Sequence, residues 1–323
     1  MEEYPRTLLE FERRFATEAA CRAYLAALRW PEGITCPRCP GRRGWETGRG
    51  LWMCAACGHQ VSVTAGTIFQ DTRLPLTLWF RALWSVTNQK TGASALGVQR
   101  LLGLGSYRTA WTWLHKLRRA MVRPGRDRLS GQVEVDETYV GGGEAGVRGR
   151  QTQRKPLVVV AAQVDGAGIG RIRLRRVPDA SGEHRQAFVR DAVAPGSLVR
   201  TDGWEGYTGL GAQGYRHKGL PLRGRPGAAT KLLPRVHRVA ALVQRWLLGT
   251  HQGAVRHAHL DYYLDQYTFR FNRRTSRSRG KLFYRLVQQA VAVAPVPYAR
   301  IVKHVPRRRS RKPKGLGRLE SSA

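Results

Sequence analysis

The sequence has few acidic residues for its length. It contains 22 Asp and Glu against 56 Lys and Arg, which gives a formal charge of +34 over 323 residues. Self-repulsion of this size weakens a compact fold unless a polyanion accompanies it. Because the positive charge is spread along the whole chain, it favours nucleic acid over a membrane patch as the partner.

Long apolar runs are also missing from the sequence. No run approaches the ~18 residues of a membrane span, and the N-terminus, Met1-Glu2-Glu3-Tyr4, is acidic, unlike a signal peptide. We therefore expect an intracellular protein of the cytoplasm. The chain is long enough for two domains, or for one large domain with an appendage.

Cysteine is scarce, and its spacing is informative. Five cysteines in a reducing compartment are not expected to form disulfides. Four of them form two Cys-x-x-Cys pairs, Cys36 with Cys39 and Cys54 with Cys57, separated by fourteen residues. This arrangement can place four thiolates around one tetrahedral zinc, which supplies folding free energy that so short a segment lacks. Four cysteines leave no open coordination position, so the sequence predicts one structural Zn²⁺ and a merely packed Cys21.

Helical periodicity marks the segments on both sides of these cysteines. Residues 9–30 have an apolar stripe and are predicted to form one helix, and residues 75–121 are helical and rich in Trp and Leu. Within the latter, 93–102 and 107–121 flank a Gly-Leu-Gly-Ser turn, which is the helix-turn-helix pattern, with Ser106 as the expected N-cap. The second helix carries the basic residues predicted to contact DNA, Arg108, Lys116, Arg118 and Arg119. An ordinary helical hairpin would show the same pattern, so that alternative stays open.

Two short apolar runs contain or directly precede an aspartate. Residues 131–140 alternate like a β-strand around Asp136, and 197–201 form a second run that ends at Asp202. A carboxylate inside a β-branched strand is costly to bury unless it binds a positive group. Each aspartate taken singly could instead be an ordinary surface or turn residue.

The order of elements indicates how the two aspartates come together. Strands are predicted at 131–140, 157–164 and 169–177, a helix at 181–193, a strand at 197–201 and a helix from about 203. Tight turns favour an antiparallel meander of the first three strands, and the helical crossover lets the fourth strand add parallel to the first. Asp136 and Asp202 would then lie on neighbouring strands. This is the order of a ribonuclease-H-like nucleotidyl-transferase fold, in the α/β class.

A third metal ligand is harder to find in the sequence. After a predicted loop at 219–230, the helix at about 235–248 contains His237 and Gln244 but no Asp or Glu. A two-metal phosphoryl-transfer site would use a further ligand there, and a neutral imidazole binds Mn²⁺ or Mg²⁺ less well than a carboxylate does. His237 could alternatively cap the helix or contact a DNA phosphate.

The C-terminal part of the chain is basic and aromatic. A helix at 257–272 leads into Arg273 and Arg274, which are predicted to contact DNA, and a final helix is expected at 281–294. The run at 307–314 is predicted to be disordered and to add phosphate affinity. We divide the chain into an N-terminal helix with zinc ribbon (1–70), a helix-turn-helix segment (71–125), a catalytic domain (126–295) and a basic tail (296–323).

Taken together, the motifs resemble the zinc-ribbon DDE-type transposases of bacterial insertion sequences, the group with an ISXO-like catalytic domain. The resemblance extends from about residue 10 to 295. It rests on the two Cys-x-x-Cys pairs, the helix-turn-helix, Val135-Asp136-Glu137-Thr138-Tyr139-Val140-Gly141-Gly142, Thr201-Asp202-Gly203-Trp204-x-x-Tyr207, Gly249-Thr250-His251 and Phe271-Asn272-Arg273-Arg274.

The resemblance implies a DNA transposase with Asp136 and Asp202 as catalytic Mg²⁺ or Mn²⁺ ligands. The family's third acidic position falls on His237, and a lysine that usually follows falls on Gln244. It also implies binding to terminal inverted repeats and target DNA, a homodimer or higher oligomer on DNA, and a bacterial, nucleoid-associated location. The alternatives are a decayed zinc-ribbon DNA-binding protein and a metal-dependent nuclease that never joins strands.

Overall fold

The computed structural model describes residues 3–123, 125–141, 155–220, 228–253 and 255–303. The predicted loop at 219–230 and the predicted disordered run at 307–314 lie largely or wholly outside these residues. The helices are α1 (Leu8–Arg14), α2 (Glu18–Arg29), α3 (Leu76–Asn88), α4 (Ala95–Leu102), α5 (Tyr107–Ala120), α6 (Gly182–Ala192), α7 (Ala228–Leu232), α8 (Pro234–His251), α9 (Leu260–Phe271), α10 (Arg279–Ala290) and α11 (Tyr298–Lys303), with 3₁₀ segments at Glu205–Gln213 and His257–His259. The strands are β1 (Gly44–Glu46), β2 (Trp52–Cys54), β3 (Gln60–Val61), β4 (Gln132–Tyr139), β5 (Leu157–Asp165), β6 (Gly168–Val177), β7 (Leu198–Thr201) and β8 (Arg216–Gly219).

The prediction of a single helix at 9–30 is wrong, because two helices form there. Helix α1 ends at Arg14 with Phe15 as its C-cap, and the Thr17 side chain caps the start of α2 by accepting a hydrogen bond from Ala20 N at 3.2 Å. The side-chain oxygen of an N-cap threonine replaces a helical bond that the first turn lacks. The apolar stripe continues across the break, which is why periodicity alone does not reveal it.

Five strands form the larger sheet in the order β6-β5-β4-β7-β8. Strands β4, β5 and β6 pair antiparallel, and β7 pairs parallel to β4 after the α6 crossover, which confirms the predicted meander and crossover. Strand β8, which was not predicted, extends the sheet beside β7 in parallel. The result is the mixed α/β sheet of the ribonuclease-H-like class.

Side chains pack in three clusters. One cluster lies on the α6 face of the large sheet and a second lies between the opposite face and α8 and α9. The remaining cluster gathers the N-terminal helices, the ribbon and α3 to α5, and it also contains Phe269 of α9 and Phe283 of α10. Because α10 buries its apolar side in this N-terminal cluster, the division of the chain at residues 70, 125 and 295 stays a proposal.

Helices α4 and α5 form the expected helix, turn and helix. Gly103 ends α4 in the left-handed conformation at φ 62°, and Ser106 caps α5 by accepting from Arg108 N at 3.2 Å. Glycine adopts positive φ without the cost that a Cβ imposes. The geometry is that of a tight helical hairpin, and DNA recognition by α5 stays a prediction.

Candidate active site and zinc ribbon

The register of the parallel pair β4 and β7 places the two predicted aspartates side by side. Glu134 pairs with Arg200, and two residues further along each chain lie Asp136 and Asp202. Neighbouring strands are ~4.8 Å apart, so the two carboxylates lie within reach of a shared cation. Asp202 is held by a local turn in which its Oδ1 accepts from Trp204 N at 3.1 Å. Asp136 Oδ1 accepts from Glu137 N at 2.8 Å.

A third carboxylate, which the sequence interpretation missed, completes the group. One oxygen each from Asp136, Glu137 and Asp202 lie within 4.8 Å of one another. Glu137 is held by an ion pair with Arg185 of α6 at 2.5 Å and by a hydrogen bond from Tyr207 Oη at 3.3 Å. Burial, and then the charge of Glu137, raises the pKa of Tyr207, which therefore keeps its proton and donates it.

Helix α8 brings His237 to the same place. Its Nε2 lies 3.4 Å from Asp136 Oδ2, and it forms no hydrogen bond with another of the described residues. Burial lowers the pKa of His237, so the imidazole is neutral near pH 7, the state in which it can coordinate a cation. The structure therefore places His237 beside Asp136, and its role as a third metal ligand stays a prediction.

Helix α8 runs along β4 in the same direction, and Glu134 fixes its start. The Glu134 carboxylate is fully buried and accepts from Arg235 N at 2.7 Å and Val236 N at 3.1 Å. It also pairs with the Arg235 guanidinium at 3.0 Å. A carboxylate at a helix N-terminus satisfies free N–H groups and the positive end of the helix dipole. The alternative that His237 itself caps this helix is not what the structure shows.

Gln244 anchors the same helix further along. Its Nε2 donates to Thr138 Oγ1 at 3.2 Å and to Tyr139 O at 3.1 Å. Residues 134 to 138 of a strand and residues 235 to 244 of a helix both span about 13 Å, which is why contacts at both ends stay in register. Glu134 and Gln244 thus hold α8 on either side of His237. The signal for Glu134 was present in the sequence, since Glu134, Asp136 and Thr138 share one face of the strand.

The four predicted zinc ligands also lie together. Sγ atoms of Cys36, Cys39, Cys54 and Cys57 lie within 4.8 Å of one another, with Cys36 to Cys57 at 3.7 Å and Cys39 to Cys54 at 3.6 Å. A tetrahedral site with Zn–S bonds of ~2.3 Å requires Sγ separations of about 3.8 Å. Gly41 makes this approach possible, because a Cβ there would lie 2.9 Å from Cys54 Sγ. The donor set fits one structural zinc.

The four residues of α5 that were predicted to contact DNA differ in their exposure to solvent. Arg108 is exposed, with its guanidinium 3.7 Å from the centre of the Tyr298 ring, and Lys116 and Arg119 are partly buried. Arg118 is 2% exposed, donates to Gln266 Oε1 at 2.8 Å and stacks on the Tyr263 ring. We correct the prediction for Arg118, because a side chain enclosed between α5 and α9 does not reach a phosphate.

The two arginines after α9 contact the chain itself. Arg274 donates to the Gly170 carbonyl at 3.2 Å and to Ile169 O, and so joins the end of α9 to the start of β6. Arg273 is partly buried, with its guanidinium 4.0 Å from the centre of the Phe269 ring. Their contact with DNA stays a prediction.

A mixed sheet of this order with carboxylates gathered at the end of β4 and after β7 defines a ribonuclease-H-like domain of the polynucleotidyl-transferase class. Comparison with known families is consistent with this class: residues 128–272 match the ISXO2-like transposase domain, and residues 16–60 match the transposase zinc-ribbon domain. The chain thus carries an ISXO2-like transposase domain preceded by a transposase zinc-ribbon domain.

A curated relative and two solved structures are also similar to the chain. The uncharacterized protein in transposable element ISH50 of Halobacterium salinarum (strain ATCC 700922 / JCM 11081 / NRC-1) is 29% identical over 143 residues, which are 43% of this chain and 46% of that protein. The similar region thus spans less than half of the relative. A simian T-cell lymphotropic virus intasome with PP2A regulatory subunit B56 gamma gives a TM-score of 0.32 at 12% identity, covering 57% of this chain and 70% of that one. A pre-cleavage Mos1 transpososome gives 0.27 at 12% identity, covering 66% and 75%. The family assignment rests on the two domain matches.

No helix among the described residues is long and apolar enough to cross a membrane.

Proposed function

We propose that the chain is a DNA transposase that cleaves phosphodiester bonds at the ends of its own insertion sequence and joins them to target DNA. The observation that carries this proposal is the group formed by Asp136, Glu137 and Asp202, with oxygens within 4.8 Å of one another and His237 at its edge. The match of residues 128–272 to the ISXO2-like transposase domain supports this reaction class.

The donor set of the group suits Mg²⁺ or Mn²⁺. These cations prefer carboxylate oxygens, and Mn²⁺ also accepts imidazole. Asp136, Asp202 and His237 would hold the metal, and Glu137 offers a further oxygen beside them. When bound, two such ions would favour deprotonation of the attacking water or 3′-hydroxyl and would stabilise the leaving oxygen during in-line displacement.

The chain's own residues fix the positions of these ligands. Arg185 balances the charge of Glu137, while Glu134 and Gln244 hold the helix that carries His237. The backbone N–H groups of Glu137 and Trp204 orient the two aspartates. No covalent protein–DNA intermediate is required, because water and the 3′-hydroxyl are the nucleophiles in this reaction.

Recognition of DNA is assigned to the N-terminal part of the chain. We propose that the zinc ribbon and α5, with Arg108, Lys116 and Arg119, bind the terminal inverted repeats, and that Arg273 and Arg274 contact the backbone. A formal charge of +34 supports a polyanionic partner. Pairing of two element ends would require a dimer or higher oligomer on DNA, in the nucleoid-associated cytoplasm that the resemblance implies.

The decisive experiment measures strand cleavage and strand transfer on DNA that carries the flanking element ends, with Mg²⁺ or Mn²⁺. We expect Asp136→Asn and Asp202→Asn each to lower the cleavage rate by more than about 100-fold, because each carboxylate contributes several kcal/mol of charge stabilisation through the metal. The matched control is Asp165→Asn, which removes an exposed carboxylate at the end of β5 and should leave the rate unchanged.

Variants at His237 and Glu137 test which residue completes the site. If His237 is a ligand, His237→Ala slows cleavage strongly and His237→Glu retains it, whereas Glu137→Gln has a strong effect if Glu137 binds metal directly. Full activity of Asp136→Asn would contradict the proposed site. Cleavage without strand transfer would identify a nuclease, and end-specific binding with no cleavage by the wild type would identify a decayed transposase.

A further inference from the structure

A cleft of about 790 Å³ lies where the N-terminal helices meet the edge of the large sheet. It is bordered by the chain after α5, by strand β6, by the end of α9 and by α10. Six arginines line it, with one carboxylate, Asp127: these are Arg123, Arg126, Arg171, Arg173, Arg273 and Arg285. The lining therefore carries five more positive than negative side chains.

The cleft is separate from the carboxylate group. Arg173 of β6 pairs with Ala161 of β5, and Ala161 pairs in turn with Val135 of β4. Side chains alternate along a strand, so Asp136 points to the face opposite Val135, while Glu137 shares the face of Val135 but lies two residues further along β4. Strands β6 and β4 are two spacings apart, roughly 10 Å. A ligand in the cleft would not be the phosphate at which the proposed cleavage occurs.

Two of the six arginines, Arg171 and Arg173, are held in place by backbone carbonyls. Arg173 donates to Ile172 O at 2.9 Å and to Asp127 O, and Arg171 donates to Arg128 O at 3.3 Å. A guanidinium has five N–H donors in a fixed fork, which suits the oxygens of a phosphate. Such fixed donors lose little conformational entropy when an anion binds.

The positive charges lie close enough to repel one another. Burial first, and then Arg126 and Arg171, lower the pKa of Arg173 to about 10. Burial first, and then Arg285 and Arg123, lower the pKa of Arg273. These arginines remain protonated near pH 7, and Asp127, which pairs with Arg123 and Arg171, offsets only part of their charge. The acid Asp265 near Arg126 gives limited compensation, because burial raises its own pKa to about 7.

Neutral polar atoms in the cleft also point to a ligand. Thr268 is 4% exposed, and its Oγ1 forms no hydrogen bond with the described residues; the same holds for Gln289 Oε1. Buried polar atoms in native proteins almost always have a partner. The hydroxyl of Thr268 can donate to a phosphate oxygen, and the apolar surface of Val122, Phe269 and Val293 offers contact to a sugar.

We propose that this arginine cleft binds the sugar–phosphate backbone of duplex DNA at a point away from the cleavage site. The choice of DNA rests on the proposed function, which makes DNA the substrate, while the binding of a phosphodiester rests on the cleft alone. The cleft lies between the N-terminal helices and the catalytic sheet, so DNA held there would be contacted by both parts of the chain.

The test measures the affinity of the full chain for a fluorescein-labelled duplex of arbitrary sequence as a function of salt concentration. All measurements use an Asp136→Asn background, so that the DNA stays intact. Each phosphate contact contributes about 0.9 to the slope of log Kobs against log salt. We expect the triple variant Arg123→Gln/Arg171→Gln/Arg285→Gln to lower the magnitude of that slope by about two to three and to weaken binding at least ~10-fold at low salt.

A matched control is available on the same strand. Arg171 is 39% exposed and pairs with Asp127 at 3.6 Å, and Arg176, outside the cleft, is 40% exposed and pairs with Asp261 at 3.3 Å. We expect Arg171→Gln to lower the slope by about one, Arg171→Lys to preserve it and Arg176→Gln to leave it unchanged. Circular dichroism and thermal unfolding identify any variant that fails to fold.

The outcomes separate the cleft from the catalytic proposal. A folded triple variant with the wild-type slope would overturn the cleft as a DNA site, even if the wild-type chain cleaves element ends. A reduced slope supports the cleft, even if the wild-type chain cleaves nothing. Tripolyphosphate provides a further arm: if it binds the cleft while duplex DNA binding is unchanged by the triple variant, the ligand is a free polyphosphate and the proposal is wrong.

Discussion

Arg185 and Glu137 form an ion pair whose side chains are 0% and 5% exposed. Removing one partner of such a pair leaves the other charge without compensation in a dry environment. We expect Arg185→Met to lower the free energy of unfolding by about 3–5 kcal/mol, measured by urea denaturation. Adding Glu137→Gln should recover a large part of this loss.

The control for this pair is Arg190→Met on the same helix, which removes an exposed arginine and should change stability by no more than ~0.5 kcal/mol. Equal losses for the single and double variants would show that Arg185 stabilises the fold through packing against Tyr207 and Trp204 and not through the carboxylate.

One buried histidine, His115, and one half-buried histidine, His251, predict how stability depends on pH. Burial, with the nearby Arg118, lowers the pKa of His115 to about 2 and that of His251 to about 3, against ~6.5 in the unfolded chain. Below pH 6.5 only the unfolded chain takes up these protons, so the stability that they contribute is present above pH 6.5 and is lost as the pH falls. Asp265 acts in the opposite sense, because its pKa of about 7 in the folded chain favours folding at low pH.

The contribution of one histidine can be isolated as a slope. Between pH 6 and 4, unfolding is accompanied by the uptake of about one proton by His115. We therefore expect His115→Gln to reduce the slope of the unfolding free energy against pH by roughly 1.4 kcal/mol per pH unit. Urea titrations at several pH values measure this, and any acid sensitivity of the zinc site is common to both proteins. Parallel curves would mean that His115 is protonated or solvated in the folded chain.

Helix α8 is the element whose position decides the geometry of the proposed site. We expect Glu134→Gln to lower the unfolding free energy by about 2–3 kcal/mol, because the helix start and Arg235 lose a charged acceptor. It should also slow cleavage by about 10- to 100-fold, as loss of a residue that orients a metal ligand commonly does. Urea denaturation and the cleavage assay with saturating Mn²⁺ measure the two effects.

The comparison for Glu134 is Glu183→Gln, which removes an exposed acid from the first turn of α6 and should cost less than ~1 kcal/mol. If Glu134→Gln is destabilised yet cleaves at the wild-type rate, then Glu134 supports the fold without positioning His237.

The zinc ribbon is the second element with a clear test. With so short a hairpin, removal of zinc by a chelator or by Cys36→Ser should unfold residues 36–61 and abolish specific binding to the element ends. Metal analysis should find one zinc per chain in the wild type and in Cys21→Ser, which removes a buried cysteine outside the four-thiol group. Specific binding by a zinc-free chain would contradict the assigned role.

For the whole molecule, the arrangement of β4 to β7 was predictable because local signals determine it, whereas β8 was not predicted. Turn lengths and one helical crossover were sufficient to place β7 beside β4 and therefore Asp202 beside Asp136. Four cysteines with ribbon spacing were similarly sufficient for the zinc ligands.

Other features depend on contacts between distant residues, which periodicity does not report. Glu137 faces Arg185 across 48 residues, Glu134 meets Arg235 across 101, and Arg118 bonds to Gln266 across 148. The sequence interpretation assigned Arg118 to DNA and gave Glu134 and Glu137 no role. The break between α1 and α2 was missed for a local reason, since the apolar stripe runs through it.

The return of α10 to the N-terminal cluster has a consequence for biosynthesis. The Phe283 ring of α10 packs against the rings of Phe11, Phe15, Tyr24, Phe80 and Trp84. Gly280 lies so close to Pro5 that a Cβ would overlap the Pro5 carbonyl oxygen. During synthesis on the ribosome, the N-terminal helices cannot complete their hydrophobic core until α10, near the end of the chain, has been made. A chain released before α10 is made would expose an aromatic surface in its first helices. Chaperones and proteases would recognise that surface, so we expect a shortened translation product to be removed before it can compete with the full chain for DNA.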